Sequence, residues 1–362
     1  MNSKRVYNFY AGPATLPVSA LEQAQKELLN YQNCGMSVME LSHRSKEYSA
    51  IHQQATQLVR ELMNIPDEYK ILWLQGGANS QFYMVPLNLM VDGQPMDYVN
   101  TGVWSKKAIK EAKLYGDVTV VASSEDKNFS YIPKDITFNK NTSYAHFTSN
   151  NTIYGTEFHF TPKTPSDVPL VTDMSSNIMD KVIDVKDYGV IYAGAQKNIG
   201  PAGVTLVIVR QDLLKRVAEN TPTMLKWSTH AEKDSLFNTC PCWAIYMCKL
   251  CLEHLKERGG VAKVEQYNRK KAQLLYDLFD TSNGFYKGHA QKDSRSLMNV
   301  TFNLPTPELE ALCIEKAKTQ GLIGLKGHRL VGGMRASIYN AMTLEGVKAL
   351  VTFLQEFQEK NE

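Results

Sequence analysis

No stretch of this chain approaches the roughly 20 consecutive apolar residues that a membrane-crossing helix needs, which excludes a transmembrane span. The first residues, Met1-Asn-Ser-Lys-Arg-Val-Tyr-Asn-Phe9, lack the apolar run of a signal peptide, and this points to the cytosol. Lysine and arginine gather in no block, and the formal net charge is only +3 over 362 residues. A nucleic-acid partner therefore finds little support, because such proteins concentrate their basic residues. Six cysteines are too few for a disulfide framework in a chain this long. Four of them cluster, at Cys240, Cys242, Cys248 and Cys251, a spacing that invites a zinc reading. Cys248 and Cys251, however, fall within the apolar helical run from Trp243 to Leu255, where cysteine behaves as a small hydrophobe. No metal is expected. Also missing are a Gly-x-Gly-x-x-Gly fingerprint, a Gly-Lys-Ser/Thr phosphate loop, an internal repeat and a low-complexity linker.

What the chain does have is 43% hydrophobic content and the length of two domains. Helical patterns over Val18–Leu29 and Lys46–Met63 precede an apolar strand, Ile71–Gln75, that ends in Gly76-Gly77. Ser80–Met90 and Ser105–Tyr115 read as helices. Asp97–Asn100, Val118–Ala122, Tyr144–Ser149, Val168–Thr172, Val190–Ala193 and Thr205–Arg210 read as strands. Strands interleaved with helical crossovers argue an α/β domain with a mostly parallel sheet flanked by helices. After the helix that ends at Arg258-Gly259-Gly260 the pattern changes. A long helix over Val264–Phe279 leads to strands at Met298–Phe302 and Met334–Tyr339, with helices at Glu308–Thr319 and Leu344–Gln358. The expected division is a large domain over residues 16–260 and a smaller α+β domain over 261–362, joined by 1–15.

Ligands of such sheets gather at the carboxyl ends of strands. Gly76, Asp173 and Lys197 all lie near strand ends in this reading. Lys197 sits in Tyr192-Ala-Gly-Ala-Gln-Lys-Asn-Ile-Gly200, among small residues that leave room for a flat ring. Pyridoxal phosphate needs a lysine to condense with its aldehyde and an acid facing its ring nitrogen. A solvated loop lysine and a strand-capping aspartate are the bland alternative. Gln75-Gly-Gly-Ala-Asn-Ser-Gln-Phe82 places two glycines at a helix start, whose free amides suit a phosphate, although a tight strand-to-helix turn would use the same residues. Trp104 follows Thr101-Gly102-Val103 and is either a stacking platform or a core anchor. Gly327-His-Arg-Leu-Val-Gly-Gly-Met-Arg-Ala-Ser337 combines glycine turns with three cations, as binding of a doubly anionic substrate would require.

These residues resemble the phosphoserine aminotransferase family, in class V of the pyridoxal-phosphate enzymes, with the type I aminotransferase fold. The resemblance covers nearly the whole chain. It is carried by Phe9-Tyr-Ala-Gly-Pro-Ala-Thr-Leu-Pro17, Met39-Glu-Leu-Ser-His-Arg-Ser45, Gln75-Gly-Gly-Ala78, Asn100-Thr-Gly-Val-Trp104, Asn151-Thr-Ile-Tyr-Gly155, Gly194-Ala-Gln-Lys-Asn-Ile-Gly-Pro-Ala-Gly203, Asn238-Thr-Cys-Pro241 and Gly332-Gly-Met-Arg-Ala-Ser-Ile-Tyr-Asn-Ala-Met342. It implies that Lys197 carries the cofactor, Asp173 faces the pyridine nitrogen, Trp104 stacks on the ring and Thr152 lies near its phenolic side. Ala78, Asn79 and Gln196 would hold the cofactor phosphate, joined by Asn238 and Thr239 from the second subunit of a homodimer with shared sites. Arg335 would bind the substrate α-carboxylate. His43 and Arg44 of the second subunit, with His328 and Arg329, would receive the distal anion. Some members of the family carry arginine where this chain has Asn79, so one cation of that site is missing here.

The implied reaction moves the amino group of L-glutamate to 3-phosphohydroxypyruvate, giving phosphoserine and 2-oxoglutarate, a step of serine biosynthesis. Use of 4-phosphohydroxythreonine in pyridoxine biosynthesis stays open. Two other readings are weaker. A cysteine desulfurase would need its cysteine on a mobile C-terminal loop, whereas Cys313 falls mid-helix. A non-catalytic binding protein of this fold would have lost Lys197 or Asp173.

Overall fold

The computed structural model describes residues 5–362. Its centre is a seven-stranded sheet of β1 (Tyr69–Leu74), β2 (Met96–Asn100), β3 (Val118–Ser123), β4 (Ala145–Thr148), β5 (Leu170–Asp173), β6 (Val190–Gly194) and β7 (Thr205–Arg210). The spatial order is β1-β7-β6-β5-β4-β2-β3, parallel except for β7, which runs antiparallel to both neighbours. Apart from the edge strand β3, whose residues are half-buried or exposed, the strands are largely buried on both faces because helices cover both. Tyr69, Ile71, Trp73, Leu170, Ile191, Ala193, Leu206 and Ile208 pack on one side, against α2 (Lys46–Leu62) and α6 (Cys242–Glu257). Leu72, Leu74, Tyr98, Val171, Val190, Tyr192 and Val207 pack on the other, against α3 (Gly77–Leu89) and α4 (Val103–Ala112). Alternate residues of each strand thus serve opposite layers.

Two further helices flank this unit, α1 (Val18–Lys26) and the short α5 (Trp227–Glu232). A second, smaller core follows in the chain. It joins α7 (Gly260–Thr281), α8 (Pro307–Thr319) and α9 (Leu344–Asn361) to a three-stranded antiparallel sheet of Lys287–Gly288, β8 (Asn299–Asn303) and β9 (Met334–Ser337). Phe279, Phe302, Met334, Leu350 and Leu354 fill it. Local chemistry sets the helix starts: Thr306 caps α8 ahead of Pro307, and Thr343 caps α9 through the Gly346 N–H. The N-terminal segment belongs to this smaller core. Tyr7–Asn8 pairs in parallel with Leu322–Ile323, and Phe9 is fully buried there. Among the described residues no helix is long and apolar enough to cross a membrane.

The elements differ from the sequence reading mainly at their ends. α3 begins at Gly77 rather than Ser80, because Gly76 (φ +93°) and Gly77 (φ +66°) turn the chain into the helix instead of interrupting it. A side chain at Gly76 would also collide with Ser80. β5 runs through Asp173, so the acid closes the strand.

Candidate active site

Lys197 and Asp173 come from adjacent strands. Asp173 is the last residue of β5, paired in register with Tyr192 of β6, and Lys197 lies on the turn that follows β6. Residues paired across parallel strands share a face, so Asp173 points to the α3–α4 side with Tyr192 and Val171. The Lys197 amine donates a hydrogen bond to the Thr152 hydroxyl at 2.7 Å and lies 5.4 Å from the centre of the Trp104 ring. Part of the Lys197 side chain still meets solvent, but its amine lies deep in the protein. Burial brings that amine down from 10.5 to about 8, against the pull of Asp173 and with the help of Arg335. Asp173 is pushed above the usual carboxylate range by burial, and the N–H of Ser175, 2.8 Å from its Oδ1, works against that shift.

Arg335 lies on β9 in the smaller core, yet its guanidinium donates to the backbone carbonyl of Thr152 at 3.1 Å. Thr152 therefore meets Lys197 through its side chain and Arg335 through its main chain. The Nε of Arg335 is buried with no partner. Trp104 stands near the start of α4, where the hydroxyl of Ser105 accepts the N–H groups of Thr101 and Gly102. A side chain at Gly102 would press on Asn151 Oδ1 at 2.8 Å and on the Tyr154 ring, so glycine is needed for that turn to sit close. The indole Nε1 is buried and unpartnered.

The other candidate residues fall into three places. Ala78 and Asn79 occupy the first turn of α3, where backbone N–H groups are free of intrahelical partners. Gln196 immediately precedes the lysine, and its carbonyl accepts the N–H of Ala14 at 2.9 Å. Asn238 and Thr239 lie before α6, with Asn238 Nδ2 donating to Gln75 Oε1 at 3.0 Å. His328 and Arg329 sit on the turn between residues 327 and 333, and burial, Arg335, Arg329 and Lys107 together hold the His328 imidazole below its ordinary value. His43 and Arg44 precede α2 and bond to none of the residues around Lys197; the Nε2 of His43 is buried without a partner. Cys313 is wholly buried in α8, where burial pushes its thiol up to about 12 and makes it unfit as a nucleophile. Pattern reading missed Lys107, whose ammonium lies 4.6 Å from the Trp104 ring centre. It missed Asn198 as well, which ties the lysine turn to the smaller core.

A carboxyl group this buried has little to keep it ionised except Lys197 and Ser175, and a ring cation is the partner it lacks. The unpartnered donors of Trp104 and Arg335, and a lysine amine held near neutral, fit the remaining edges of the same group. Such a site on a mostly parallel, helix-covered sheet defines a pyridoxal-phosphate enzyme of the type I fold.

Comparison with known proteins agrees with this class and narrows it. The Aminotransferase class-V family model matches residues 6–350. Phosphoserine aminotransferase of Geobacillus kaustophilus is 56% identical over 359 residues, 99% of each chain, and that of Bacillus subtilis is 55% identical over 360 residues. The solved phosphoserine aminotransferase of Bacillus circulans subsp. alkalophilus superposes with a TM-score of 0.97 at 49% identity, covering 99% of this chain and all of the other. The chain belongs to the class-V aminotransferase family, within its phosphoserine aminotransferase branch.

Proposed function

We propose that this protein transfers the amino group of L-glutamate to 3-phosphohydroxypyruvate, forming phosphoserine and 2-oxoglutarate in serine biosynthesis. The observation that carries this reading within the structure is the meeting of Lys197 and Arg335 on one residue, Thr152. The amine assigned to proton transfer and the guanidinium assigned to the α-carboxylate thereby approach one residue from different cores.

Bound here, pyridoxal phosphate supplies the electron sink for the bond broken at the substrate Cα. Lys197 and Asp173 would hold its two ends, Trp104 and Thr152 its ring, and the first turn of α3 with Gln196 its phosphate. Lys197 then carries the Cα proton. An amine brought to about 8 by burial is partly free base at neutral pH and can both take and return it. Thr152 keeps that amine pointed along one direction. Arg335 has a guanidinium edge to spare for the α-carboxylate, which both substrates share. His328 and Arg329, with His43 and Arg44 of a second subunit, would receive the distal group. Those donors accept either the carboxylate of glutamate or the phosphate of the acceptor.

A homodimer is part of the reading. Met36 at 43% exposure, Met39 at 59% and Phe237 at 42% are large apolar side chains close in sequence to residues assigned to the shared site. We also assign residues 16–260 to a large domain and 261–362 with 1–15 to a small one. The separate cores and the Tyr7–Leu322 pairing support that division, and residues 1–4 lie outside the described residues. A cytoplasmic setting completes the proposal, since thiols such as these are ordinarily reduced there.

An absorbance titration tests the function. A yellow band that bleaches with glutamate and returns with 3-phosphohydroxypyruvate is the expected result. A yellow protein indifferent to glutamate rejects the donor, and one that glutamate bleaches but 3-phosphohydroxypyruvate does not restore rejects the acceptor.

A further inference from the structure

Two thiols stand against each other beside the loop assigned to the cofactor phosphate. Cys240 Sγ and Cys242 Sγ are 3.9 Å apart. Between them Pro241 adopts φ −74°, ψ 75°, and the Cys242 N–H bonds back to the Cys240 carbonyl at 2.8 Å. This is an inverse γ-turn, which folds residues on either side of its centre toward one another. The Tyr48 hydroxyl lies 3.0 Å from Cys240 Sγ as a second hydrogen-bonding partner. Cys240 lines a cavity of about 240 Å³ whose walls also include Gln75, Gly76, Ser80 and Asn238, so a small oxidant has a place to reach it. The neighbouring thiol and Tyr48 together bring the Cys240 thiol down to about 7 despite its burial. The hydrogen bond with Cys240 and burial push the Cys242 thiol far up, so Cys240 is the attacking member of the pair; burial likewise raises the thiols of Cys248, Cys251 and Cys313.

We propose that Cys240 and Cys242 form a peroxide-responsive dithiol that closes into a disulfide and thereby loosens the enzyme's hold on its cofactor. In the first step the Cys240 thiolate attacks one oxygen of a hydroperoxide. The O–O bond breaks, an alcohol or water leaves, and Cys240 becomes a sulfenic acid. In the second step the Cys242 thiol attacks that sulfur and gives its proton to the departing hydroxide, so the S–S bond forms, the S–O bond breaks and water leaves. The two cysteines lose two electrons and two protons in all, which the peroxide takes up. A small dithiol reverses the reaction by exchange.

The structural consequence follows from which cysteine is free to move. A disulfide needs its sulfurs about 2.05 Å apart, so the present gap must close. Cys242 begins α6, whose first turn is fixed by the buried Ala244 and Ile245. Cys240 ends a loop, and closing the gap from its side would take it from the Tyr48 hydroxyl and draw Thr239 and Asn238 with it. Asn238 in turn holds Gln75, the residue before the Gly76-Gly77 turn into α3. The coupling to cofactor retention rests on the phosphate site proposed above, whereas the disulfide itself does not.

The experiment treats the yellow holoenzyme with a small molar excess of hydrogen peroxide, then blocks remaining thiols and maps the cysteine peptides by mass spectrometry. Cofactor retained after gel filtration is measured on the same samples. The expected result is a Cys240–Cys242 peptide lighter by two hydrogens, several-fold loss of bound cofactor, and recovery of both by dithiothreitol with added pyridoxal phosphate. Cys242→Ser should give no disulfide and a Cys240 sulfenic acid trapped by dimedone, and before oxidation it should retain cofactor as the parent does. Oxidation that goes first to other cysteines overturns the dithiol. A mapped disulfide with cofactor retention unchanged overturns the switch while leaving the transaminase reading intact.

Discussion

The side-chain carbonyl of Asn198 accepts the backbone N–H of Asn340 at 2.9 Å. The residue after the lysine is thereby fastened to the loop that follows β9, the strand of Arg335. Asn198 also donates to the Ile178 carbonyl at 2.6 Å, and Asn340 bonds to Met179 and Asn268. Lys271 secures the same loop through the carbonyls of Ile338, Tyr339 and Met342. Asn198→Ala removes two hydrogen bonds worth about 1 kcal/mol each. We expect the half-reaction with glutamate to slow roughly tenfold in single-turnover mixing, with glutamate affinity little altered. An unchanged rate would show that this bond does not position the lysine.

Arg335 has its Nε unpartnered and one guanidinium bond to Thr152. Charge-assisted, bidentate contacts contribute about 2–3 kcal/mol, so Arg335→Ala should raise the KM of both glutamate and 3-phosphohydroxypyruvate by roughly two orders of magnitude. Lysine should rescue little, because it cannot reproduce the fork. Steady-state kinetics on both substrates decides it, and a rise for only one substrate contradicts the α-carboxylate role.

Lys197 makes a pH-dependent contribution to stability. Folding lowers its amine from 10.5 to about 8, so between those values the unfolded chain binds the proton more tightly. Stability from this group is complete above pH 10.5 and is lost as pH falls through about 8. Lys197→Met should therefore stabilise the cofactor-free protein by about 2 kcal/mol at pH 7, net of the lost Thr152 bond, and the gain should fade toward alkaline pH. Thermal melts at several pH values test this. A gain independent of pH would point to packing instead of charge.

Lys107 stands between the Trp104 ring and the His328 turn. It offers a further cation beside the distal-anion site proposed around His328 and Arg329. Lys107→Glu should raise the KM for 3-phosphohydroxypyruvate roughly three- to tenfold at low salt, with a smaller effect on glutamate. The difference should shrink as the ionic strength rises and the screening length drops to about 8 Å. Equal KM values at low salt would remove Lys107 from the site.

Arg44 is exposed before α2 and forms no hydrogen bond or ion pair with the residues around Lys197 of its own chain. If it serves a second subunit, Arg44→Ala and Lys197→Ala should each be nearly inactive alone. Mixed and re-associated, they should recover about a quarter of the parental activity in the statistical limit of paired sites. No recovery would mean that each site is built from one chain.

Much of the fold was legible because most of the strands are buried on both faces and read as short apolar runs. Thr205–Arg210 has the same bounds in the sequence reading and in the structure. The glycine pair at 76–77 was legible as a turn but misleading about where α3 starts, since positive φ at glycine can lead into a helix as well as end one. Lys197 and Asp173 stood out because strand ends are where ligands gather. Lys107 did not, since a lysine among other lysines on a helix looks like a solvated face. The Asn198–Asn340 bond left no local signal at all. Its partners lie on separate cores, and only the packing of one core on the other brings them together.

Pairing of Tyr7–Asn8 with Leu322–Ile323 has a consequence for the protein's birth on the ribosome. The first strand emerges early and finds its neighbour only when nearly the whole chain has been made. The central sheet can assemble while synthesis continues, because its last strand ends at Arg210. The smaller core must wait for α9, and Arg335 waits with it. A nascent chain would thus hold the central sheet before the Asn198–Asn340 bond and the strand of Arg335 could close on the lysine turn.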